Sequence, residues 1–377
     1  MDFALSDEQR MLSESLTRFI AERYDFHQRL NFMAQPEGFS RVIWGELAEL
    51  GVLALPFSED DGGFAGGGVE TMVVMEVLGR GLVVEPYLAT VVLAGGALRL
   101  AASNEQKARR IAGIGAGDYI IALAHHERDG LRHTTAYFRT RAEPVAGGWR
   151  LDGAKTAVMA GAVADELVVS AITPNGVSLF LVERAAAGVK VTDSVGYDGV
   201  KAADISFTNV HVTAKALLGE DGQGDAILTC LFEEANAALC AEAVGIMEDV
   251  LHSTIDYLKT RTQFGVAIGT FQALQHRCVD MLMQVELARS MAILAALSLT
   301  RDSEARRLDI AAAKVQVCRA ARLVGQEAIQ MHGAIGLTME LKVGHAFKRL
   351  TAISAMFGDV DHHLEAIADA GGLAPLA

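Results

Sequence analysis

The stretch RTQFGVAIGTFQALQH, residues 261–276, places polar side chains on both sides of a break in a long helical pattern. Arg261 stands three residues before the Phe264–Gly265 pair, and Gln272 follows where the helical pattern resumes. A guanidinium at such a break either caps the carbonyls of its own helix or binds a phosphate through two parallel hydrogen bonds. The residues alone leave both interpretations open.

A second break, QMHGAIG at residues 330–336, repeats this arrangement. Gln330 precedes the small residues Gly333 and Ala334, which allow a ligand or another backbone to approach closely. By themselves, the two breaks predict only a large α+β protein whose helical bundle is interrupted at two points.

Potential metal ligands occur in two runs, HHE beginning at His125 and DVDHH beginning at Asp359. Neighbouring histidines diverge on a strand or a helix, and neither run has the i, i+4 spacing of a helical zinc site. The loop GGFAGGG, residues 62–68, lacks the Gly-Lys-Ser/Thr ending of a phosphate-binding loop. We therefore predict no metal site in either run, and we predict that the glycine-rich segment is a flexible loop and not a phosphate site.

Three segments of different character must position these residues. Residues 1–117 show helical periodicity, and residues 118–224 contain eight short β-branched segments separated by Gly, Asn and Asp. Residues 225–377 contain four long amphipathic helices with short links. The predicted fold class is α+β, with an N-terminal helical domain, a middle antiparallel β-barrel or sandwich, and a C-terminal four-helix bundle.

The composition argues against several classes of protein. A net charge of −14 disfavours nucleic acid as a partner, because phosphate binding needs a basic surface. The N-terminus MDFALSDEQR resembles neither a signal nor a transit peptide, and no uninterrupted apolar run approaches the roughly 18 residues of a membrane span. The four cysteines show no CxxC spacing. These features predict a cytoplasmic, oligomeric protein with free thiols.

Together, the two breaks resemble motifs of the acyl-CoA dehydrogenase family. LAELGVLALPFSEDDGGFAGG in the first segment also matches, and LDGAKTAVMAGAVADELVVSA and DISFTNVHV in the middle segment match more weakly. The resemblance covers nearly the whole chain in the expected order. It implies FAD as the cofactor, an acyl-CoA substrate, a tetramer built as a dimer of dimers, and an electron-transfer flavoprotein as a candidate electron acceptor.

The resemblance also assigns FAD contacts to the two breaks. In this family, the arginine that matches Arg261 reaches the FAD diphosphate of a neighbouring subunit, and the second break holds the adenosine end. Ala334 replaces a usual glycine there. The implied FAD-binding residues are Arg261, Gln263, Phe264, Gln272, Gln330, Gly333 and Ala334.

The catalytic base is the main departure from the family pattern. In the family, a carboxylate removes the α-proton of the thioester while a hydride leaves the β-carbon for the flavin. The usual glutamate position falls on Phe357, followed by the matching Gly358. Phenylalanine cannot accept a proton, although its backbone N–H can donate to a thioester carbonyl. Glu242, within the apolar ALCAEAVGIM, is the predicted base, and a structural hydrogen-bonding role is its alternative.

Other carboxylates are candidates for the same role. Some members of the family place the base on the first bundle helix, at a position that falls here on Ala235, next to Glu233 and Glu234. An offset of one residue rotates a side chain by about 100° around a helix, so Glu234 is not an automatic replacement. Asp359 and Asp361, just after Phe357, are further candidates.

The flavin-ring motifs of the middle segment are also altered. ALAHHERDG stands where the family has a Thr-Glu-Pro stretch, and the ring-stacking tryptophan after Lys155 falls on Ala157, with Met159 at a usual threonine. Loss of the ring motifs with retention of the diphosphate motifs resembles the small subunits of two-component members, such as those acting on pimeloyl-CoA. The implied partner is a large acyl-CoA dehydrogenase subunit.

The leading hypothesis is an FAD-dependent subunit that catalyses α,β-dehydrogenation of an acyl-CoA thioester, with a dicarboxylyl-CoA such as pimeloyl-CoA as the candidate substrate. One alternative is a catalytically incomplete subunit that lends FAD- and CoA-binding residues to a large catalytic partner in a hetero-oligomer. A self-sufficient homo-oligomer using Glu242, a non-catalytic thioester-binding subunit, and a flavin monooxygenase of the same fold are the others.

Overall fold

A computed structural model describes residues 5–128 and 138–371, and the structural statements below refer to these residues. Part of the predicted strand segment TTAYFRTRAEPV, residues 134–137, lies outside them. Helices α1–α6 are Asp7–Arg23, Phe26–Met33, Arg41–Glu49, Gly68–Gly81, Gly95–Ala101 and Asn104–Gly115. Helices α7–α11 are Gly224–Thr260, Gln272–Ser298, Ser303–His332, Lys342–Ala355 and Val360–Asp369. Strands β1–β10 are Ile121–Ala124, Arg141–Val145, Gly148–Met159, Glu166–Thr173, Gly176–Glu183, Val189–Val195, Lys201–Thr213, Leu217–Leu218, Thr262–Gln263 and Val266–Ala267.

The order of elements is helical, then β, then helical, which confirms the predicted fold class. Helix α1 begins where its sequence predicts, because the Ser6 hydroxyl accepts a hydrogen bond from the backbone N–H of Gln9. The Gln9 side chain in turn accepts from the backbone N–H of Ser6, which completes a capping box. Helix α6 begins with the same arrangement at Ser103 and Gln106.

The chain divides into two compact units by its own contacts. The first comprises Met1–Arg29, Gly68–Val83 and Asn236–Ala377, and the second comprises Leu30–Gly67 and Val84–Ala235. The helices of the first 117 residues are therefore shared between the two units. The domain boundaries predicted from the sequence, 117/118 and 224/225, remain predictions.

The second unit is organised by a sheet of eight strands in the order β6-β7-β3-β2-β4-β5-β8, with β1 paired to β4. Most neighbours are antiparallel, as predicted, but β1 runs parallel to β4, and Arg141 of β2 also pairs with β4 in parallel. The β4 and β5 strands are buried along almost their whole length. A mixed sheet results, in which the central strands are covered on both faces.

The first unit is built on close helix packing between α4 and α7. A Cβ placed on Gly245 would lie 1.9 Å from the carbonyl oxygen of Glu76, and one on Gly79 would lie 2.2 Å from the carbonyl oxygen of Glu242. Real Cβ atoms do not approach so closely, so the absence of a side chain at both glycines sets the distance between the two helices. Helices α8 and α9 pack along each other in the same unit.

A buried arginine fixes the tautomer of a buried histidine in this unit. The Arg29 guanidinium donates to the carbonyl of Leu82 at 2.7 Å and to Nδ1 of His345 at 3.1 Å. Nδ1 must therefore act as the acceptor, and Nε2 carries the proton that is donated to the carbonyl of Met339 at 3.0 Å. Only the neutral ring can satisfy both contacts, since a protonated ring has no acceptor.

We expect acidification to destabilise the chain through this histidine. Loss of water on burial, helped by the Arg29 charge, holds the pKa of His345 below the ordinary 6.5. The contribution of His345 to the free energy of unfolding is complete above pH 6.5 and is lost as the pH falls. The reason is that the ring binds a proton in the unfolded state at a pH where it stays neutral in the folded state. One such proton contributes at most about 1.4 kcal/mol per pH unit to the free energy of unfolding.

The measurement is urea unfolding between pH 7.5 and 5, with wild type compared with His345→Asn. Asparagine preserves one acceptor and one donor but does not titrate, so the variant should show a shallower pH dependence. His125 and His332, whose pKa values burial also lowers, remain in both proteins and serve as a common background. Equal slopes in the two proteins would contradict the assignment.

Candidate functional site

The break at residues 261–271 is filled by a small β-hairpin. Strands β9 and β10 pair with Gln263 opposite Val266, and Phe264 and Gly265 form the two-residue turn between them. Both turn residues have positive φ, +52° and +80°, as a turn of type I′ requires. The sequence predicted an interruption here but not a hairpin, and the Phe-Gly pair was the available signal. The turn leaves the Phe264 side chain 91% exposed.

Arg261 is positioned by its backbone while its side chain remains available. Its N–H donates to the carbonyl of Tyr257 at 2.8 Å, and its carbonyl accepts from the N–H of Ile268 at 2.9 Å. Among the described residues, no carboxylate or helix carbonyl binds the guanidinium, and the residue is exposed. Of the two interpretations open at the sequence level, this geometry favours an anion-binding arginine over a helix cap.

The second break lies at the same end of the bundle as the first. The His332 ring stacks on Tyr257, with ring centroids 4.5 Å apart and an interplanar angle of 25°. Helix α9 ends there, and Gly333 has φ of +67° while its N–H donates to the carbonyl of Gln330. The Tyr257–His332 contact thus joins the end of α7, which precedes Arg261, to the end of α9, which precedes Gly333.

The residues predicted to bind FAD share one property, which is exposure on the surface of this chain. A Cβ atom built on Gly333 would have no described atom within 4 Å, so the backbone there is open to a ligand. We name this surface the break edge. Its members are Arg261, Gln263, Phe264, Gln272, Gln330, Gly333 and Ala334.

Glu242, the predicted base, is engaged in an ion pair. Both of its carboxylate oxygens accept from the Arg349 guanidinium of α10, at 2.6 and 2.9 Å, and both side chains are largely buried. This two-pronged geometry is the strongest form of such a pair. It favours the structural role that the sequence left as the alternative, because the guanidinium fixes the orientation of both carboxylate oxygens toward α10.

Two of the other candidate carboxylates, Glu234 and Asp359, are also engaged. Glu234 accepts with both oxygens from Arg99, each at 2.6 Å, and Asp359 caps the start of α11 by accepting from the N–H of His362. Ala235 is fully buried. Asp361 lies exposed in the first turn of α11.

The position of the usual glutamate lies in a tight turn between α10 and α11. Phe357 is buried and has φ of +52°, and Gly358 follows with φ of +100°. The carbonyl of Phe357 accepts from the side-chain amide of Asn236 at 3.1 Å. Lys314 of α9, which is fully buried, donates to the carbonyls of Ile353 and Met356 at 3.0 Å each. Sequence reasoning missed both supports, although a lysine inside the Ala- and Val-rich α9 was a usable signal.

In the second unit, the HHE run supplies a buried charge pair. Lys155 is fully buried and donates to Glu127 at 2.8 Å, to Ser170 at 3.1 Å and to the carbonyl of His125 at 3.0 Å. Burial, opposed by the Glu127 charge, lowers the pKa of Lys155 to about 8. Burial also keeps the pKa of the His125 ring well below its ordinary value. Glu127 therefore serves as the counterion of the buried Lys155.

The sequence of the chain matches the three parts of one family in order. The acyl-CoA dehydrogenase N-terminal domain matches residues 6–118, the middle domain residues 122–210, and the C-terminal domain residues 222–372. The chain belongs to the acyl-CoA dehydrogenase family. Its members are oxidoreductases with FAD as cofactor, in agreement with the predicted enzyme class and cofactor.

Individual relatives extend over most of the chain. An L-prolyl-[peptidyl-carrier protein] dehydrogenase of Serratia sp. is 28% identical over 99% of both proteins, and acyl-CoA dehydrogenase FadE27 of Mycobacterium tuberculosis is 30% identical over 82% of both. Among solved structures, the FAD complex of PigA superposes with a TM-score of 0.91, at 28% identity and 99% and 100% coverage. The ChsE4–ChsE5 complex of M. tuberculosis superposes with a TM-score of 0.88, at 25% identity and full coverage of both chains.

The break edge fits the diphosphate and adenosine end of FAD. An exposed guanidinium without an ion pair in the described residues suits two phosphates, and the open backbone at Gly333 suits a flat ring. At the ring positions, Ala157 sits in a β-bulge of β3 with φ of +50°, and its N–H donates to Asp204. A methyl group there offers no stacking surface for a flavin ring.

We expect Glu242→Gln to destabilise the chain by about 3 kcal/mol, because it leaves the largely buried Arg349 without its counterion. Arg349→Met should cost a similar amount, and the double variant Glu242→Leu/Arg349→Met should be less unstable than the sum of the two. Urea unfolding gives all three values. Unchanged stability of Glu242→Gln combined with abolished turnover would instead identify Glu242 as the base.

Proposed function

We propose that this chain is a subunit of an FAD-dependent enzyme that introduces an α,β double bond into an acyl thioester, and that it works with a second, larger acyl-CoA dehydrogenase subunit. The observation that carries the proposal is the absence of a carboxylate at both family base positions, Phe357 and Ala235, together with the pairing of the two candidate glutamates. Phe357 has no carboxylate, and both oxygens of Glu242 and of Glu234 are bound by arginines.

The reaction needs a base for the α-proton and an acceptor for the β-hydride. Bound FAD supplies the hydride acceptor. This chain contributes Arg261 as a cation for the diphosphate and the open backbone at Gly333 for the adenosine end. The carboxylate that takes the α-proton comes from the partner subunit, since the α-proton of a thioester is weakly acidic and needs a base in direct contact.

The exposure of the break edge supports an FAD site shared between subunits. Residues that serve a cofactor within their own chain are usually enclosed by it, whereas these seven lie on the surface. A solved structure of similar fold is titled as a complex of two named chains, ChsE4 and ChsE5. We extend that arrangement to this chain, with an electron-transfer flavoprotein as the electron acceptor and the cytoplasm as the compartment.

Helix α8 presents a further surface for assembly. Val279, Leu282, Met283 and Leu287 are exposed along it at helical spacing. In the described part of the chain, α8 alone has the length and hydropathy of a membrane-crossing helix, and it packs along α9 on its other side. We assign its apolar face to a subunit interface of a dimer-of-dimers tetramer.

The acyl group of the substrate is proposed as a dicarboxylyl-CoA such as pimeloyl-CoA. A relative named for an L-prolyl group on a peptidyl-carrier protein makes a carrier-bound acyl group the competing substrate. Both are acyl thioesters. A self-sufficient homo-oligomer is the second candidate for assembly, and it requires a base that the pairing of Glu242 disfavours.

Arg261→Ala should weaken FAD binding by at least about tenfold, because a charge-assisted contact to phosphate is lost. The thermal midpoint of the apoprotein should stay unchanged, since the side chain is exposed and makes no ion pair among the described residues. Flavin fluorescence titration of the assembled enzyme gives the affinity. Arg307→Ala, an exposed arginine of α9, is the matched control and should bind FAD like wild type. Equal affinities for the two variants would remove Arg261 from the FAD site.

The assembly is tested by the visible spectrum of the chain purified alone and after co-expression with a candidate large acyl-CoA dehydrogenase subunit. We expect a colourless protein alone and stoichiometric flavin, bleached by pimeloyl-CoA, in the complex. Stoichiometric flavin in the lone chain, bleached by an acyl-CoA, would show a complete enzyme with its own base.

A further inference from the structure

The turn at Phe357 is held in a conformation that its sequence does not favour. A left-handed backbone is uncommon for a bulky residue, and such strain persists only where the surroundings impose it. Phe357 has φ of +52° and is 4% exposed. The turn is therefore fixed from outside, and two long helices supply the contacts.

Lys314 fixes the entrance of the turn. Its ammonium donates to the last carbonyls before Phe357, those of Ile353 and Met356, at the carboxyl end of α10. A cation is favourable at that end of a helix. Among the described residues, no carboxylate lies within salt-bridge distance of Lys314, and its ammonium is bound by the two carbonyls instead.

Asn236 fixes the centre of the turn, and this contact determines the orientation of its amide. The Nδ2 group donates to the carbonyl of Phe357 at 3.1 Å. A flipped amide would place two oxygens against each other, so Oδ1 faces away from the turn. Oδ1 is buried, and it accepts no hydrogen bond from the described residues. The residue is 4% exposed.

No described residue donates a hydrogen bond to Oδ1 of Asn236. Its sequence neighbours Ala235, Ala237 and Ala238 are buried and carry only methyl groups. A buried amide oxygen is normally hydrogen-bonded, because removing it from water without a partner is costly. An acceptor with a fixed direction and no partner is an arrangement that a ligand donor completes.

We infer that Asn236 is a ligand-binding residue whose Oδ1 accepts a hydrogen bond from an N–H or O–H group of a bound ligand. Under the proposed function, on which the choice of probes rests, two ligands carry such donors: FAD, in its ring and ribityl chain, and the pantetheine amides of an acyl-CoA. The Nδ2 contact with Phe357 makes the same side chain a positioning group for the turn.

The test compares three variants of the full chain assembled with its large subunit. Asn236→Leu removes acceptor and donor while keeping the number and branching of the side-chain heavy atoms, whereas Asn236→Asp keeps an oxygen acceptor. Thr254→Val is the matched control, because Thr254 is a fully buried α7 residue whose hydroxyl bonds only the Val250 carbonyl of its own helix. The probes are FAD, followed by flavin fluorescence, and the non-reactive thioether analogue of butyryl-CoA, followed by calorimetry.

We expect Asn236→Leu to weaken binding of one probe by about tenfold, as loss of a buried hydrogen bond does. Asn236→Asp should bind that probe within about threefold of wild type, and Thr254→Val within about twofold. An effect on FAD assigns the donor to the cofactor, and an effect on the thioether assigns it to the substrate. Asn236→Val replaces the leucine variant if that variant does not fold.

The inference is overturned if Asn236→Leu binds both probes as tightly as Thr254→Val, which would mean that water alone fills the acceptor. These affinities need no turnover. A wild-type complex that binds both probes but does not oxidise any acyl-CoA would refute the proposed function and leave the Asn236 comparison valid. A wild-type complex that binds neither probe would refute both.

Discussion

The stacking of Tyr257 on His332 is the contact on which the break edge depends. It holds the carboxyl ends of α7 and α9 together, so two sequence stretches about seventy residues apart present their polar and small residues at one place. Burial lowers the pKa of His332, and the neutral ring donates from Nδ1 to the carbonyl of Ala328. The neutral His332 ring can therefore stack on Tyr257 without placing a second positive charge near Arg261. The edge is therefore built by packing, and its only charge is the guanidinium of Arg261.

Buried charged groups elsewhere in the chain have a different task. Arg349 with Glu242, Lys155 with Glu127, and Lys314 with two helix carbonyls each satisfy a charge that solvent no longer reaches. Such groups hold helices and strands in register because an unpaired buried charge is very unfavourable. The family resemblance directed attention to Glu242 as a reactive group, yet its surroundings are those of a structural ion pair. Burial and an apolar sequence context identify a carboxylate that needs a partner, and they do not identify the partner.

The sequence predicted what local patterns control. Helical periodicity, the cap at Ser6 and the β-branched middle segment gave the order of elements, and the motifs around Arg261 and Gly333 gave the family and its cofactor. It did not predict the partners of Glu242 and Phe357, which lie 107 and 121 residues away along the chain. The parallel pairing of β1 with β4 escaped for the same reason. Contacts between residues so far apart along the chain arise from the fold as a whole, so the spacing of residues within a motif does not predict them.

The close approach of α4 and α7 has a consequence for genetics. Gly79 and Gly245 touch no candidate ligand residue, yet a methyl group on either would press directly on the opposite backbone and push the helices apart. Because the backbone that Gly79 contacts is that of Glu242 itself, a change at Gly79 is transmitted to the Arg349 pair and to α10. A random-mutagenesis screen for inactive clones would thus recover these two glycines among its strongest hits. Without the structure, they would be mistaken for residues of the active site.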